Sequence, residues 1–227
     1  MSFAHSPKIV TDGLVLSLDA GNTKSYPGSG TAWFDKSGFS NNGTLTNGPT
    51  FNSANLGSIV FDGVDDYVAL GNATNVIRDT SAITVESWVR TNVVGSYKKI
   101  IITGPASGQG VQGFYLSLGP SPSYIYFGVI TNLGTNTADY ASTISTTRYN
   151  HIVGTYDSSS VKLYLNGTLV ASSSLTGNIA TGGICRISGY SNNNEVWNGD
   201  ISNIKIYSRA LSAAEISQNY NTLKGRF

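Results

Sequence analysis

The sequence predicts an all-β fold, an antiparallel two-sheet sandwich closed by one short C-terminal helix. Three observations carry that prediction. Apolar residues alternate with a period of two in short runs along most of the chain. Gly and Asn punctuate those runs at short intervals. A capped helical signal occurs once, at Ser212-Ala213-Ala214-Glu215, where Ser is the N-cap and Glu stands three residues later.

In chain order, Gly13 to Leu18 alternates with Leu14, Leu16 and Leu18 on one face. Ser58 to Phe61 and Tyr67 to Leu70 are short strands around a turn at Asp62-Gly63. Ile83 to Arg90 places Ile83, Val85 and Val89 on one face and Trp88 on the other, so both faces of this strand are expected to be covered. Gly113 to Leu118 alternates through Phe114, Leu116 and Leu118. Tyr124 to Ile130 is an almost continuous apolar run, the pattern of a central strand buried on both sides. His151 to Tyr156 and Val161 to Leu165 lead to Asn166-Gly167, a hairpin signal because both turn positions need φ > 0. Ile184 to Ser188 and Ile201 to Tyr207 complete at least ten strands. In the helix, Ile216, Tyr220 and Leu223 share a face and are expected to pack on the sandwich. Residues 20–57 read as one long loop.

Composition narrows the function classes. A chain of 227 residues with 40% apolar residues can bury a sizeable core. Charged residues are only 12%, about half the usual share, so Ser, Thr, Asn and Gly must supply the polar surface. The net charge of +1 comes from 14 basic and 13 acidic residues without a basic stripe, which argues against nucleic-acid binding. The single cysteine, Cys185, excludes an intrachain disulfide and a cysteine-based zinc site, and is read as a small buried residue. The N-terminus has no apolar signal-peptide core, and no run approaches the roughly 20 apolar residues of a membrane helix. The expectation is a protein made in a cytoplasm, with no membrane partner, organised as an N-terminal arm (residues 1–8) and one domain (residues 9–227).

Four motifs then carry a resemblance: Gly13-Leu14-Val15-Leu16-Ser17-Leu18-Asp19-Ala20-Gly21-Asn22; Trp33-Phe34-Asp35-Lys36-Ser37-Gly38 with Asn41-Asn42-Gly43; Phe61-Asp62-Gly63-Val64-Asp65-Asp66-Tyr67; and Gly199-Asp200-Ile201 through Ala210-Leu211-Ser212. In this order and spacing the chain resembles the laminin-G-like jelly-roll domains of the concanavalin A-like lectin/glucanase superfamily, in the single-domain form carried by tailed-bacteriophage virion proteins. The resemblance implies two antiparallel sheets packed face to face. It implies a virion structural protein, a capsid decoration or fibre protein, with other virion proteins as partners, a possible homo-oligomer, and a virion location. The alternative is an adhesion module that recognises host surface glycans. Tyr149-Asn150-His151 departs from the family pattern, in which Trp often precedes the His.

Chemistry is sparse. The three glutamates, Glu86, Glu195 and Glu215, are far apart, and no strand carries two acids at i and i+2. Retaining glycoside hydrolysis needs two carboxyls about 5 Å apart, so a glycosidase is disfavoured and no catalytic residue is expected. The two histidines, His5 and His151, suggest no nucleophilic site. Calcium takes six to eight oxygen ligands. Related jelly-roll domains often hold a structural calcium between such loops, and Asp19, Asn22, Asp35, Asn42 and Asp200 are the candidate ligands. Asp62-Gly63-Val64-Asp65-Asp66 lacks EF-hand spacing and reads as a β-turn with solvated acids. For a glycan, Tyr190 and Trp197 flank an Asn-rich loop, so Tyr190, Asn192, Asn193, Asn194 and Trp197 form the candidate binding set. Trp33 and Trp88 are assigned to packing. The tail Lys224-Gly225-Arg226-Phe227 is a candidate contact with neighbouring subunits.

Overall fold

A computed structural model describes residues 8–108, 110–120, 124–142 and 144–227. The expected arm lies almost wholly outside the described residues, as does His5. The strands are β1 (Leu14–Asp19), β2 (Ala32–Trp33), β3 (Gly43–Thr46), β4 (Thr50–Asn52), β5 (Ser58–Asp62), β6 (Tyr67–Asn72), β7 (Ile83–Thr91), β8 (Lys98–Gly104), β9 (Phe114–Gly119), β10 (Tyr124–Thr131), β11 (Gly134–Ala141), β12 (Asn150–Tyr156), β13 (Ser160–Leu165), β14 (Thr168–Ser174), β15 (Ile184–Ile187) and β16 (Asn198–Tyr207), followed by helix α1 (Ala213–Leu223).

They form two antiparallel sheets of eight strands, a jelly-roll sandwich. The first runs β14-β13-β12-β7-β16-β5-β4, with β1 also paired to β16. The second runs β11-β10-β9-β8-β15-β6-β3-β2. Strand β16 is long enough to pair with β5 through its first half and β1 through its second. Its register against β7 shifts between Ile201 and Asn203. Asn166 and Gly167 both take positive φ, as the hairpin signal requires.

The core lies between the sheets. Ile83, Val85 and Val89 of β7 and Ile204 and Ile206 of β16 meet Phe114, Leu116 and Leu118 of β9 and Ile125, Phe127 and Val129 of β10. Trp33 and Cys185 join the same core. A second apolar cluster forms under α1 from Val10, Leu14, Val153, Tyr164, Tyr207, Leu211 and Ile216. The capping box is present: Ser212 Oγ accepts from the Glu215 N–H, and the Glu215 carboxylate accepts from the Ser212 N–H.

The segment 20–57 is not a loop throughout, since it contains β2, β3 and β4. These strands are two to four residues long, β2 and β3 bury only single or alternate positions and β4 buries none fully, so too little apolar pattern marks them. Strands β8 and β11 also lie outside the expected set. The exposed polar pattern of β11 hides it, with Ala138 its only fully buried residue. The run Tyr124–Ile130 is not buried on both sides, because Tyr124 and Tyr126 point away from the core and are half-buried.

Candidate functional site

The two outer sheet faces have opposite fates. On the first sheet, the C-terminal segment packs over part of the face, beside a groove of about 220 Å³ lined by Trp88, Tyr149, Tyr220 and Phe227. Trp88 of β7 points outward and is stacked by Tyr220 of α1, with ring centroids 5.6 Å apart, and by Phe227 at 4.5 Å. Phe227 also packs on Tyr149 at 4.6 Å. Arg226 anchors this tail by donating to Asp19 Oδ1 at 2.7 Å, to Ser202 Oγ and to the Asn55 and Gly57 carbonyls. The tail therefore docks on its own domain.

Beneath α1 sits a buried polar network. Glu86 is fully buried; its Oε1 accepts from Lys205 Nζ at 3.0 Å and its Oε2 accepts from Asn219 Nδ2 at 2.7 Å. His151 Nε2 lies 3.3 Å from Glu86 Oε1. Burial pushes the Glu86 carboxyl up, but the Lys205 charge and the His151 and Asn219 contacts outweigh it and hold it well below the usual carboxylate range. Asn219 Oδ1 accepts from the Val10 N–H, and Asn219 Nδ2 also donates to Tyr207. The network joins β7, β12, β16, α1 and the start of the domain. It is a closure device, sealed from any ligand.

The second sheet's outer face carries no helix among the described residues, and tyrosines cover it. Tyr124 and Tyr126 alternate on β10, with ring centroids 5.6 Å apart. Tyr97 lies 6.3 Å from Tyr126. Tyr115 of β9 and Tyr190, just after β15, complete the group. At its centre, Lys99 Nζ sits 4.6 Å from the Tyr115 ring, 5.2 Å from Tyr190 and 5.8 Å from Tyr97. Lys99 is 5% exposed and pairs with Glu195 at 3.1 Å. Burial pushes its ammonium down, opposed by the Glu195 charge. Burial, reinforced by Glu195, pushes the Tyr190 phenol up to about 12, so its hydroxyl stays a donor at neutral pH. Two glycines let the rings lie on the sheet: a Cβ at Gly128 would overlap the Tyr115 ring, and one at Gly119 would overlap Tyr126. The loop that carries Glu195 holds Ser188, Asn193 and Glu195 at positive φ, a strained backbone of the kind found at ligand sites. Beside the tyrosines lies a groove of about 210 Å³, bordered by Tyr67, Ala69, Ile184, Arg186 and Ser191.

The expected glycan set divides. Tyr190 belongs to the tyrosine face. Asn192 and Asn194 are exposed on the adjoining loop, while Asn193 Oδ1 accepts from Arg186 Nη2 at 2.9 Å. Trp197 is corrected: it is fully buried between the sheets and offers no platform. Sequence reasoning missed Tyr97, Lys99, Tyr115, Tyr124, Tyr126 and Arg186. The available signal was the Tyr124-Ile125-Tyr126 alternation beside Phe127, which marks opposite faces.

The expected calcium residues do not fit a metal. Asp35 is buried and accepts four hydrogen bonds, from the Ser17 and Ser37 N–H groups, Ser37 Oγ and the Asn41 N–H. Asn42 Oδ1 accepts from the Asp35 N–H, and Asn22 Oδ1 from the Lys24 N–H. Asp19 serves Arg226 and the Gly21 N–H. Asp200 accepts from Ser58 Oγ and from Arg90. Protein donors thus occupy both oxygens of Asp35 and of Asp200 and the Oδ1 atoms of Asp19, Asn22 and Asn42. Among the described residues, the acidic trio whose oxygens approach within 4.8 Å is instead Asp62, Asp65 and Asp66. There Asp66 is buried rather than solvated, and its Oδ2 accepts from the Asp62 N–H.

The glutamates are each committed: Glu86 is sealed, Glu195 pairs with Lys99, and Glu215 pairs with Arg209 at 2.6 Å.

No curated protein sequence matches the chain. Solved structures match it in shape. Domain 4 of AbnA, a GH43 extracellular arabinanase from Geobacillus stearothermophilus, in complex with arabinotriose, superposes with a TM-score of 0.68 at 16% identity, covering 91% of this chain and 98% of that one. The binding domain of Paraclostridial Mosquitocidal Protein 1 gives 0.70 at 18% identity, covering 93% and 52%. The botulinum neurotoxin serotype G binding domain gives 0.65 at 16% identity, covering 91% and 50%. The chain thus spans about half of the toxin binding domains and nearly all of the arabinanase domain. At such identities the likeness concerns the fold. A laminin-G-like family model, described as the concanavalin A-like lectin/glucanases superfamily, matches residues 62–217, from the end of β5 into α1. The chain therefore belongs to the concanavalin A-like lectin/glucanases superfamily.

Proposed function

We propose that this domain is a carbohydrate-binding module that stacks sugar rings on its tyrosine face and acts by binding, without catalysis. The observation that carries the reading is the set of five tyrosines, Tyr97, Tyr115, Tyr124, Tyr126 and Tyr190, gathered around one buried, ion-paired lysine on the sheet face that no helix covers among the described residues. A pyranose or furanose presents a C–H face that packs on an aromatic ring, and phenol hydroxyls at the rim hydrogen-bond its hydroxyls. The commitment of all three glutamates supports binding over hydrolysis. The same fold holds arabinotriose in the arabinanase domain. The virion setting and its protein partners rest on the resemblance alone; they concern where the domain is mounted, and the tyrosine face acts the same way in either case.

The test is a glycan array followed by titration of the best ligand into the wild type and a Tyr124→Ala/Tyr126→Ala double variant. Wild-type binding that weakens at least tenfold in the double variant, about 1.4 kcal/mol, supports the reading. A silent array, or equal affinities in a variant with unchanged circular dichroism, overturns it.

A further inference from the structure

Three strongly buried cations sit on the outer sheet faces, and two have a carboxylate. Lys205 has Glu86 and Lys99 has Glu195. Arg186 of β15 is the third, 4% exposed, and no carboxylate lies within ion-pair distance of it among the described residues. Its guanidinium lies over the Tyr67 ring at 3.5 Å. Its Nε donates to the Ser188 carbonyl at 3.1 Å and its Nη2 to Asn193 Oδ1 at 2.9 Å. Those bonds use two of the five N–H donors of an arginine and leave three. The groove of about 210 Å³ runs along this side chain, and a smaller depression beside it is lined by both Arg186 and Tyr190. The unpaired guanidinium therefore adjoins the tyrosine face.

A buried cation without an anion is costly, and burial does push the Arg186 guanidinium down. The ring stack and the two neutral acceptors offset part of that cost and fix the plane of the fork. They leave the charge uncompensated at the wall of a groove open to solvent. A fixed guanidinium fork is matched by two oxygens of one oxyanion.

We infer that Arg186 forms an anion subsite, which takes the carboxylate or sulfate group of an acidic sugar whose neighbouring ring stacks on Tyr190. This deepens the carbohydrate-binding reading and rests on it for the sugar. The oxyanion part stands on Arg186 and its groove. It also predicts a preference: acidic oligosaccharides bind more tightly than neutral ones of equal length.

The register supplies a clean variant. Ala69 of β6 is the direct cross-strand partner of Arg186 and also lines the groove. Directly opposed residues have Cβ atoms about 5 Å apart, so Ala69→Asp brings a carboxylate to the guanidinium from within the protein. This variant does not depend on the fold surviving loss of the arginine. Affinities are measured for a neutral, a uronate-containing and a sulfated oligosaccharide of equal length, on the wild type and on Ala69→Asp. The expected result is at least tenfold tighter wild-type binding of one acidic ligand over the neutral one, with the uronate and sulfate arms identifying the group. In Ala69→Asp that ratio collapses toward one. Equal wild-type affinities, or a ratio unchanged in the variant, overturn the subsite and leave the tyrosine face standing. If no oligosaccharide binds, the carbohydrate reading fails. The subsite is then judged by melting temperature with glucuronate, sulfate and glucose: a rise with either anion alone, absent in Ala69→Asp, supports it, and no rise, or an equal rise in the variant, refutes it.

Discussion

Gly128 makes room for Tyr115. The two stand directly opposite in the β9–β10 register, and a side chain at 128 would occupy the space of the Tyr115 ring. The glycine thus lets a large ring lie flat on its neighbouring strand, and Gly119 does the same for Tyr126. Gly128→Ala should tilt Tyr115 off the sheet and away from Lys99. Overpacking of this kind costs about 1–3 kcal/mol. The expected outcome is a lower melting temperature and weaker glycan binding together, read by thermal denaturation and titration. A variant that loses stability but binds with full affinity would place Tyr115 outside the site.

Lys99 and Glu195 are unequal partners, because the lysine is buried and the glutamate side chain is 26% exposed. Removing the glutamate strands a charge, whereas removing the lysine leaves a carboxylate that water can reach. Glu195→Gln is therefore expected to destabilise more than Lys99→Met. Its cost also carries a pH signature. Burial already holds the Lys99 ammonium below its ordinary range, and loss of Glu195 lowers it further. The folded variant then binds fewer protons than the unfolded chain, so its stability rises with pH through the alkaline range below the ordinary lysine value of about 10.4. Urea titrations across that range check it; a flat difference from the wild type would contradict the burial assignment.

Much of the fold was legible because two simple periods write it. Leu14-Val15-Leu16-Ser17-Leu18, Ile83 to Val89 and Ile201 to Tyr207 alternate against a core, and Ser212 with Glu215 caps the helix that follows. Strands β2, β4 and β11 escape the sequence reading because edge strands bury few side chains, and β3 because it is only four residues long; hydrogen bonding to a neighbour leaves no trace in composition. The site was harder to read. Tyr124, Tyr126 and Tyr115 are apolar enough to count as core in a one-dimensional reading, and only the pleat separates them from Ile125, Phe127 and Leu116. Tyr190 is legible because a local Asn-rich loop marks it. Lys99 and Arg186 gave no signal, since their role comes from pairing across strands distant in sequence. Trp197 misled for the converse reason: its Asn-rich neighbours are exposed while its own ring turns inward.

The Glu86–Lys205 pair should govern acid stability. Both side chains are buried, so removing one partner is expected to cost about 3–5 kcal/mol. Lys205→Met leaves Glu86 with Asn219 and His151 only. The native Glu86 carboxyl titrates well below its ordinary value of about 4.3, so the unfolded chain takes up the proton first as pH falls. The stabilisation from this pair is therefore present above that value and is lost progressively below it. In Lys205→Met the burial effect is less opposed, and the acid dependence should shrink. Denaturation midpoints at pH 7, 5 and 3 for wild type and variant check both statements. An unchanged slope between pH 5 and 3 would mean that other carboxylates dominate.

Asp35 gives a direct test of whether the N-terminal loops are held by hydrogen bonds or by an ion. Its two oxygens accept four hydrogen bonds from Ser17, Ser37 and Asn41, and these tie the segment after β2 to β1. A carboxylate so occupied has little left for a cation that wants six to eight oxygens. Asp35→Ala would strand the Ser17 and Asn41 N–H groups, at about 1–3 kcal/mol for each buried donor left unpaired. Chelation should leave the wild-type melting temperature unchanged, and millimolar calcium should not raise it. If EDTA lowers it, and Asp35→Ala abolishes that response, an ion rather than the hydrogen-bond set holds these loops. If Asp35→Ala lowers it by the stated amount with or without EDTA, the four hydrogen bonds account for the order of the segment that carries β2 to the sheet edge.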